Sequence, residues 1–382
     1  MNINKHLILL FSVLFFLFAV SVSSGCFRKN ESDVKSVVRN ELDQLKNLDS
    51  ETTQKYIPYT ELFPDATENT DLTDEINKTF SLFFRKFNYK ISDVIVGTAN
   101  HSATVSVKLT TIDSKVLARD FKAELLRTQI TESAQAQKGN IKDSSRSLEA
   151  HYLILNHLLN TNDYDTAETD CNIQLVNTGN DKKEKWKIQR TNSLEDDLVG
   201  GLMNDLTDPD ILSPEDTILV YLNTLKNMSA EELGNYLNAD SIISTEDPAK
   251  ISLAEALVKQ VHSTFNYSIG ETTVSGYTAT VTANITIFDS DAILENYQKE
   301  LDTYLASVDA VIDGAQKRYE KSYSLLLEYI EENTATKTVE TTFTLINDGA
   351  SWKLEDAGTV FGQALFGTLS SSPVEDEQEN NG

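Results

Sequence analysis

The chain has 382 residues, a hydrophobic content of 40% and a formal net charge of -26. That length and composition suit a folded protein of two domains of ordinary size. The charge argues against a nucleic-acid partner, which needs clustered Lys and Arg, and it works against adhesion to anionic lipid unless an anchor supplies the contact.

At the N-terminus Lys5 precedes an apolar run from Leu7 to Val22, followed by Ser23-Ser24-Gly25-Cys26. The run is short for a spanning helix and small residues precede the cysteine, so residues 1–25 read as a cleaved export signal. Gly25-Cys26 resembles the end of a bacterial lipobox, although Ser23 stands where that motif usually has Leu. The resemblance implies acyl chains on Cys26, enough for stable anchoring at the outer face of the cell membrane. Cys171 is the second of two cysteines, so lipidation of Cys26 leaves no intramolecular disulfide. In the alternating run Asp170-Cys171-Asn172-Ile173-Gln174-Leu175 its sulfur shares a face with Ile173 and Leu175, the pattern of a small buried hydrophobe.

Residues 26–33 read as a polar tether. From Val34 to Leu48 apolar residues recur at helical spacing, and a matching helix opens at Ser213-Pro214, an N-cap followed by proline at the first helical position. The two helices end alike, in Leu45-Lys46-Asn47 and Leu225-Lys226-Asn227. Further matches follow in the same order: Phe87-Asn88-Tyr89 with Phe265-Asn266-Tyr267, Asp113-Ser114 with Asp289-Ser290, and Trp186-Lys187 with Trp352-Lys353. The spacing between partners drifts slowly, as it does in duplicated domains whose loops differ in length. Between the Asp-Ser and Trp-Lys pairs lie helical stretches, 115–160 and 292–332, each too long for one ordinary helix; Gly139 and Gly314 are the expected bends. Each copy then closes with a second hairpin and a short apolar helix, 194–202 and 360–369. The expected division is therefore a first domain over 34–206, a Pro-containing linker over 207–214, a second domain over 215–369 and a disordered acidic tail over 370–382.

Helices, a hairpin, a helical insertion and a second hairpin predict an α+β fold, with a curved antiparallel sheet packed on helices in each copy. The Leu-Lys-Asn helix end, the Tyr89 and Tyr267 strand starts, the Asp-Ser pair, the Trp-Lys strand and the closing Leu-x-Gly-x-Leu resemble the NTF2-like (cystatin-like) domains of Gram-positive lipoproteins of unknown function. That resemblance implies two tandem domains of this kind and brings no agreed catalytic set with it.

Enzymes of that fold place an acid, base or tyrosine on the concave face of the sheet. Here the inward rows are Ala103, Val105, Val107 and Leu109, and Ala279, Val281, Ala283, Ile285 and Ile287, uninterrupted by any titratable group. Phe84, Phe87, Tyr89, Phe265 and Tyr267 are candidates for lining a cavity, with core packing as the plainer reading. His151 and His157 lie six apart on a helix and diverge, and the acidic runs at 160–165 and 205–210 lack an EF-hand's glycine and closing glutamate, so neither a metal nor a cofactor is expected. The expectation is a non-enzymatic membrane-anchored binding module for an envelope protein or small ligand. A hydrolase or isomerase working in the domain cone, and a transport-associated solute receptor, are the alternatives.

Overall fold

The computed structural model describes residues 24–47, 62–63, 72–97, 101–136, 144–179, 185–237 and 248–370. Among these residues every sheet is antiparallel, and both sheets have four strands in chain order. The chain divides into two units, Met1–Phe121 with Ser147–Thr207, and Lys122–Arg146 with Asp208–Gly382. The observed class is α+β.

Unit 1 opens with α1 (Ser24–Lys46), whose buried stripe is Val34, Val38, Leu42 and Leu45, spaced so that all four fall on one side of a 3.6-residue helix. The segment expected as a tether is helical here: residues 26–33 contain neither Gly nor Pro, and α1 runs through them without a break. After α2 (Thr73–Phe83) and a 3-10 turn come β1 (Asn88–Gly97) and β2 (Ser102–Ile112), then α3 (Ser114–Ala136) and α4 (Leu148–Thr161). Strands β3 (Thr166–Asn177) and β4 (Trp186–Ile188) complete the sheet, followed by α5 (Asn192–Leu198) and α6 (Leu202–Thr207). Alternation on β2 and β3 turns Ala103, Val105, Val107, Leu109, Cys171, Ile173 and Leu175 to the helices, all buried. The outward row is a polar ladder, with Thr104 Oγ1 donating to Gln174 Oε1 at 2.9 Å and Lys108 paired with Glu168 at 3.1 Å.

Unit 2 repeats the order. It contains α7 (Pro214–Asn227), α8 (Ala230–Tyr236), α9 (Pro248–Thr264), β5 (Asn266–Ser275) and β6 (Thr278–Phe288). The insertion is α10 (Ser290–Leu305), α11 (Val308–Ile312) and α12 (Ala315–Glu332), with Gly314 as the N-cap of α12. Then come β7 (Thr336–Asn347), β8 (Trp352–Leu354) and α13 (Ala357–Phe366). Ser213 caps α7 by accepting from Asp216 N at 3.0 Å, with Pro214 next, as its sequence signature predicts. Ala279, Val281, Ala283, Ile285 and Ile287 are buried with Phe343, Leu345 and Phe361 in one cluster.

Three expected boundaries differ from what is observed. Residues 122–146, assigned by sequence to the first domain, are counted with unit 2, because Ile130 and Ala134 are buried in that unit's cluster. Residues 208–214, read as linker, also belong to unit 2: Asp210 accepts from Trp352 Nε1 at 2.8 Å and from Asn347 Nδ2 at 3.1 Å. The apolar helix expected over 194–202 is broken, since Gly200 and Gly201 have φ of 68° and 91°, a left-handed excursion that stops one helix and starts the next. Residues 1–23, Gly139 and 371–382 lie outside the described residues.

Candidate functional site

The duplicated motifs meet one another in space. Lys46 at the end of α1 donates to Asn88 Oδ1 at the start of β1 (2.9 Å), and Lys226 at the end of α7 donates to Asn266 Oδ1 at the start of β5 (2.8 Å). The Leu-Lys-Asn and Phe-Asn-Tyr repeats are therefore the two halves of one helix-to-strand clasp. The Asp-Ser and glycine motifs form a second clasp. Asp113 and Asp289 accept from backbone N–H groups of the following helix, while Ser114 Oγ donates to Gly200 O at 2.6 Å and Ser290 Oγ accepts from Thr368 N at 3.3 Å. A Cβ on Gly200 would lie 2.3 Å from Thr111 Oγ1, and one on Gly367 2.5 Å from Ser290 Oγ, so glycine is required for this approach in both units.

The aromatic candidates separate. Phe84, Phe87 and Phe265 are buried in the core; Phe84 stands edge-on to Phe83 and Phe87, with ring centroids 5.3 and 5.5 Å apart. Tyr267 is half-buried, packs against the unit 2 cluster and lies under Lys226, whose Nζ is 5.8 Å from the ring centroid. Tyr89 opens onto a pocket.

That pocket is an open groove of about 270 Å³ between α1 and the edge strand β1, lined by Lys35, Arg39, Asp43, Lys46, Tyr89 and Ile91. The sequence places it there by two periodicities. Positions 35, 39, 43 and 46 fall within about 80° of one another on a helix at 100° per residue, beside the buried stripe. Tyr89 and Ile91, opposite Leu109 and Val107 in the strand register, extend the inward face to the sheet edge. Tyr89 Oη donates to Asp43 Oδ1 at 2.6 Å. Burial, followed by this hydrogen bond and the charge of Asp43, pushes the phenol up to about 12, so it is protonated at neutral pH. Three cations against one carboxylate leave the lining at +2, in a chain whose formal total is -26. Sequence reading missed this site: its signal is the spacing of Lys35, Arg39 and Lys46 on a helix, away from the sheet faces where acids and bases were expected.

Other polar groups have structural settings. The Cys171 thiol is buried against Asp197 and pushed up to about 12 by burial and then by that carboxylate's charge, which makes it a poor nucleophile at neutral pH. Asp196 Oδ1 accepts from Met203 N and Asn204 N, bridging the Gly200-Gly201 break to start α6. His151 packs its ring on Phe63 (4.7 Å) and Phe121 (5.5 Å), and among the described residues no group of His, Cys, Asp or Glu is placed to hold a metal. Asp163 pairs with Lys86, and Asp205 Oδ2 lies 2.7 Å from Ser114 Oγ, so both acidic runs brace the fold. At the tip of the second insertion Val308, Val311 and Ile312 are 74%, 81% and 74% exposed, on a turn held by Arg318 donating to Ala310 O and Asp313 O.

No protein-family model matches the chain, and no curated protein matches it in sequence. Among solved structures, one similar chain is a candidate lipoprotein (YcdA) from Bacillus subtilis, 11% identical over 74% of this chain and 96% of that one, with a TM-score of 0.28. A superposition that loose transfers nothing to this chain. No helix among the described residues is long and apolar enough to cross a membrane.

Proposed function

We propose that the chain is a lipid-anchored, extracytoplasmic, non-enzymatic module of two NTF2-like units that binds an envelope component through its surface. The observation that carries the reading is the filling of both inward faces: Val105, Leu109, Val281, Ala283, Ile285 and Ile287 are all fully buried among apolar neighbours. A reaction in the cone would need a polar group and substrate volume where these side chains meet. The repeated four-stranded antiparallel sheet packed on helices supports the NTF2-like assignment, and the Gly25-Cys26 junction supports the anchor.

Mass spectrometry of the mature N-terminus tests the anchor. It should find acylated Cys26 as the first residue; an unmodified Cys26 would sink that part. For the non-enzymatic reading, turnover of any small substrate that disappeared in Val107→Thr or Val281→Thr, with the melting curve unchanged, would overturn it.

A further inference from the structure

We infer that the groove between α1 and β1 of unit 1 is a binding site for a small phosphoester anion. This rests on the proposal that the protein binds through its surface, and it names the class of ligand for one part of that surface.

Lys35 and Arg39 make no ion pair among the described residues, and Asp43, the one carboxylate in the lining, accepts the Tyr89 hydroxyl. Lys46 donates a hydrogen bond to the neutral Asn88 and makes no ion pair among the described residues. Their side chains do not serve the core, which α1 supplies from Val34, Val38, Leu42 and Leu45 on the neighbouring stripe.

Unit 2 provides the internal control. With the shared clasp as the guide, Lys46 corresponds to Lys226, Asn88 to Asn266 and Tyr89 to Tyr267, so Lys35, Arg39 and Asp43 correspond to Glu215, Leu219 and Asn223. The clasp lysine is common to both units and belongs to the fold. Lys35 and Arg39 belong to unit 1 alone, so the positive charge is a feature of the groove and not of the architecture.

Phosphate chemistry fits the donors. Arg39 offers a planar fork that matches two oxygens of a phosphoester, and Lys35 and Lys46 offer point charges on either side along the helix. Tyr89 and Ile91 form the strand side of the groove, and its volume of about 270 Å³ accepts a ligand of the size of glycerol phosphate. A long polyanion is disfavoured, because beyond the groove it would meet the negative charge of the remaining surface. The same phosphoester chemistry is found on a free metabolite and on a lipid headgroup, and the experiment separates them.

Full-length protein in a neutral detergent is titrated calorimetrically with glycerol 1-phosphate and, separately, with soluble dihexanoyl-phosphatidylglycerol. One saturable site for either probe is expected, weakened at least tenfold in K35E/R39L and unchanged in Lys226→Ala. K35E/R39L installs residues that unit 2 already carries at these positions, and Arg39→Gln, which keeps the side-chain length, should weaken binding in the same direction. Binding of glycerol 1-phosphate identifies a free phosphoester as a sufficient ligand; binding of the lipid analogue alone identifies a headgroup. No saturable binding of either probe, or full binding in both K35E/R39L and Arg39→Gln, overturns the inference. If acylated Cys26 were absent while this binding persisted, the anchor would fall and the groove would stand.

Discussion

Helices α1 and α7 start their units with the same buried stripe and opposite surfaces. Val38, Leu42 and Leu45 on one correspond to Ile218, Leu222 and Leu225 on the other, all buried, and both end in a lysine that donates to the first asparagine of the sheet. On the adjacent stripe Lys35, Arg39 and Asp43 have Glu215, Leu219 and Asn223 as their sequence counterparts. Duplication preserved what packs and released what does not. The likeness between units therefore reports on folding, and function is to be sought where they differ.

The largest effects should come from the shared stripe. Leu42→Ala and Leu222→Ala each remove a fully buried side chain and should cost about 2–5 kcal/mol in urea unfolding, with similar losses in the two units. A substitution tolerated in one unit alone would break the equivalence of the helices. The glycine clasps come next. Gly200→Ala and Gly367→Ala combine a positive φ with a blocked Cβ position, and roughly 2 kcal/mol is expected for each. Gly349→Ala shares the positive φ, at 90°, but meets nothing within 4 Å, so it should cost only about 1 kcal/mol.

A titration sharpens the comparison between Tyr89 and Tyr267. Burial raises both phenols, and in Tyr89 the Asp43 hydrogen bond and charge add to it, taking it to about 12 from an ordinary 10.0. A group raised in the folded state contributes stability that is full below its unfolded pKa and is lost as pH climbs through the folded value. Stability owed to Tyr89 should therefore hold up to pH 10 and fade toward 12. Asp43→Asn, which copies Asn223, should lower the Tyr89 titration seen by ultraviolet absorbance; an unmoved titration would show that burial alone sets it. The smallest effects belong to exposed groups. Lys46→Ala and Lys226→Ala should each change stability by less than about 0.5 kcal/mol, as should Val311→Asp at the exposed tip of the second insertion.

Much of the fold was legible because two signals agreed. Strand alternation fixed which face of β2 and β6 is buried, and repetition fixed the order of elements around them. What escaped were features set by distant contacts. The break at Gly200-Gly201 depends on Thr111 standing where a Cβ would go, and the allocation of residues 122–146 depends on Ile130 and Ala134 finding partners in unit 2. The helical backbone over 26–33 departs from the expected tether because polarity alone does not stop a helix that lacks Gly and Pro. The groove was hidden for a different reason. Its residues come from a helix and a strand more than forty positions apart, and each taken singly is an ordinary surface lysine, arginine or tyrosine.

The comparison can be inverted in a single measurement. E215K/L219R gives unit 2 the two cations that unit 1 has at the matching positions, with Lys226 and Tyr267 already in place. Calorimetric titration with glycerol 1-phosphate should then give a stoichiometry of about two per chain, against one for the unaltered protein. A stoichiometry left at one in E215K/L219R, or already two before the change, would contradict the assignment of anion binding to the cations that distinguish the units.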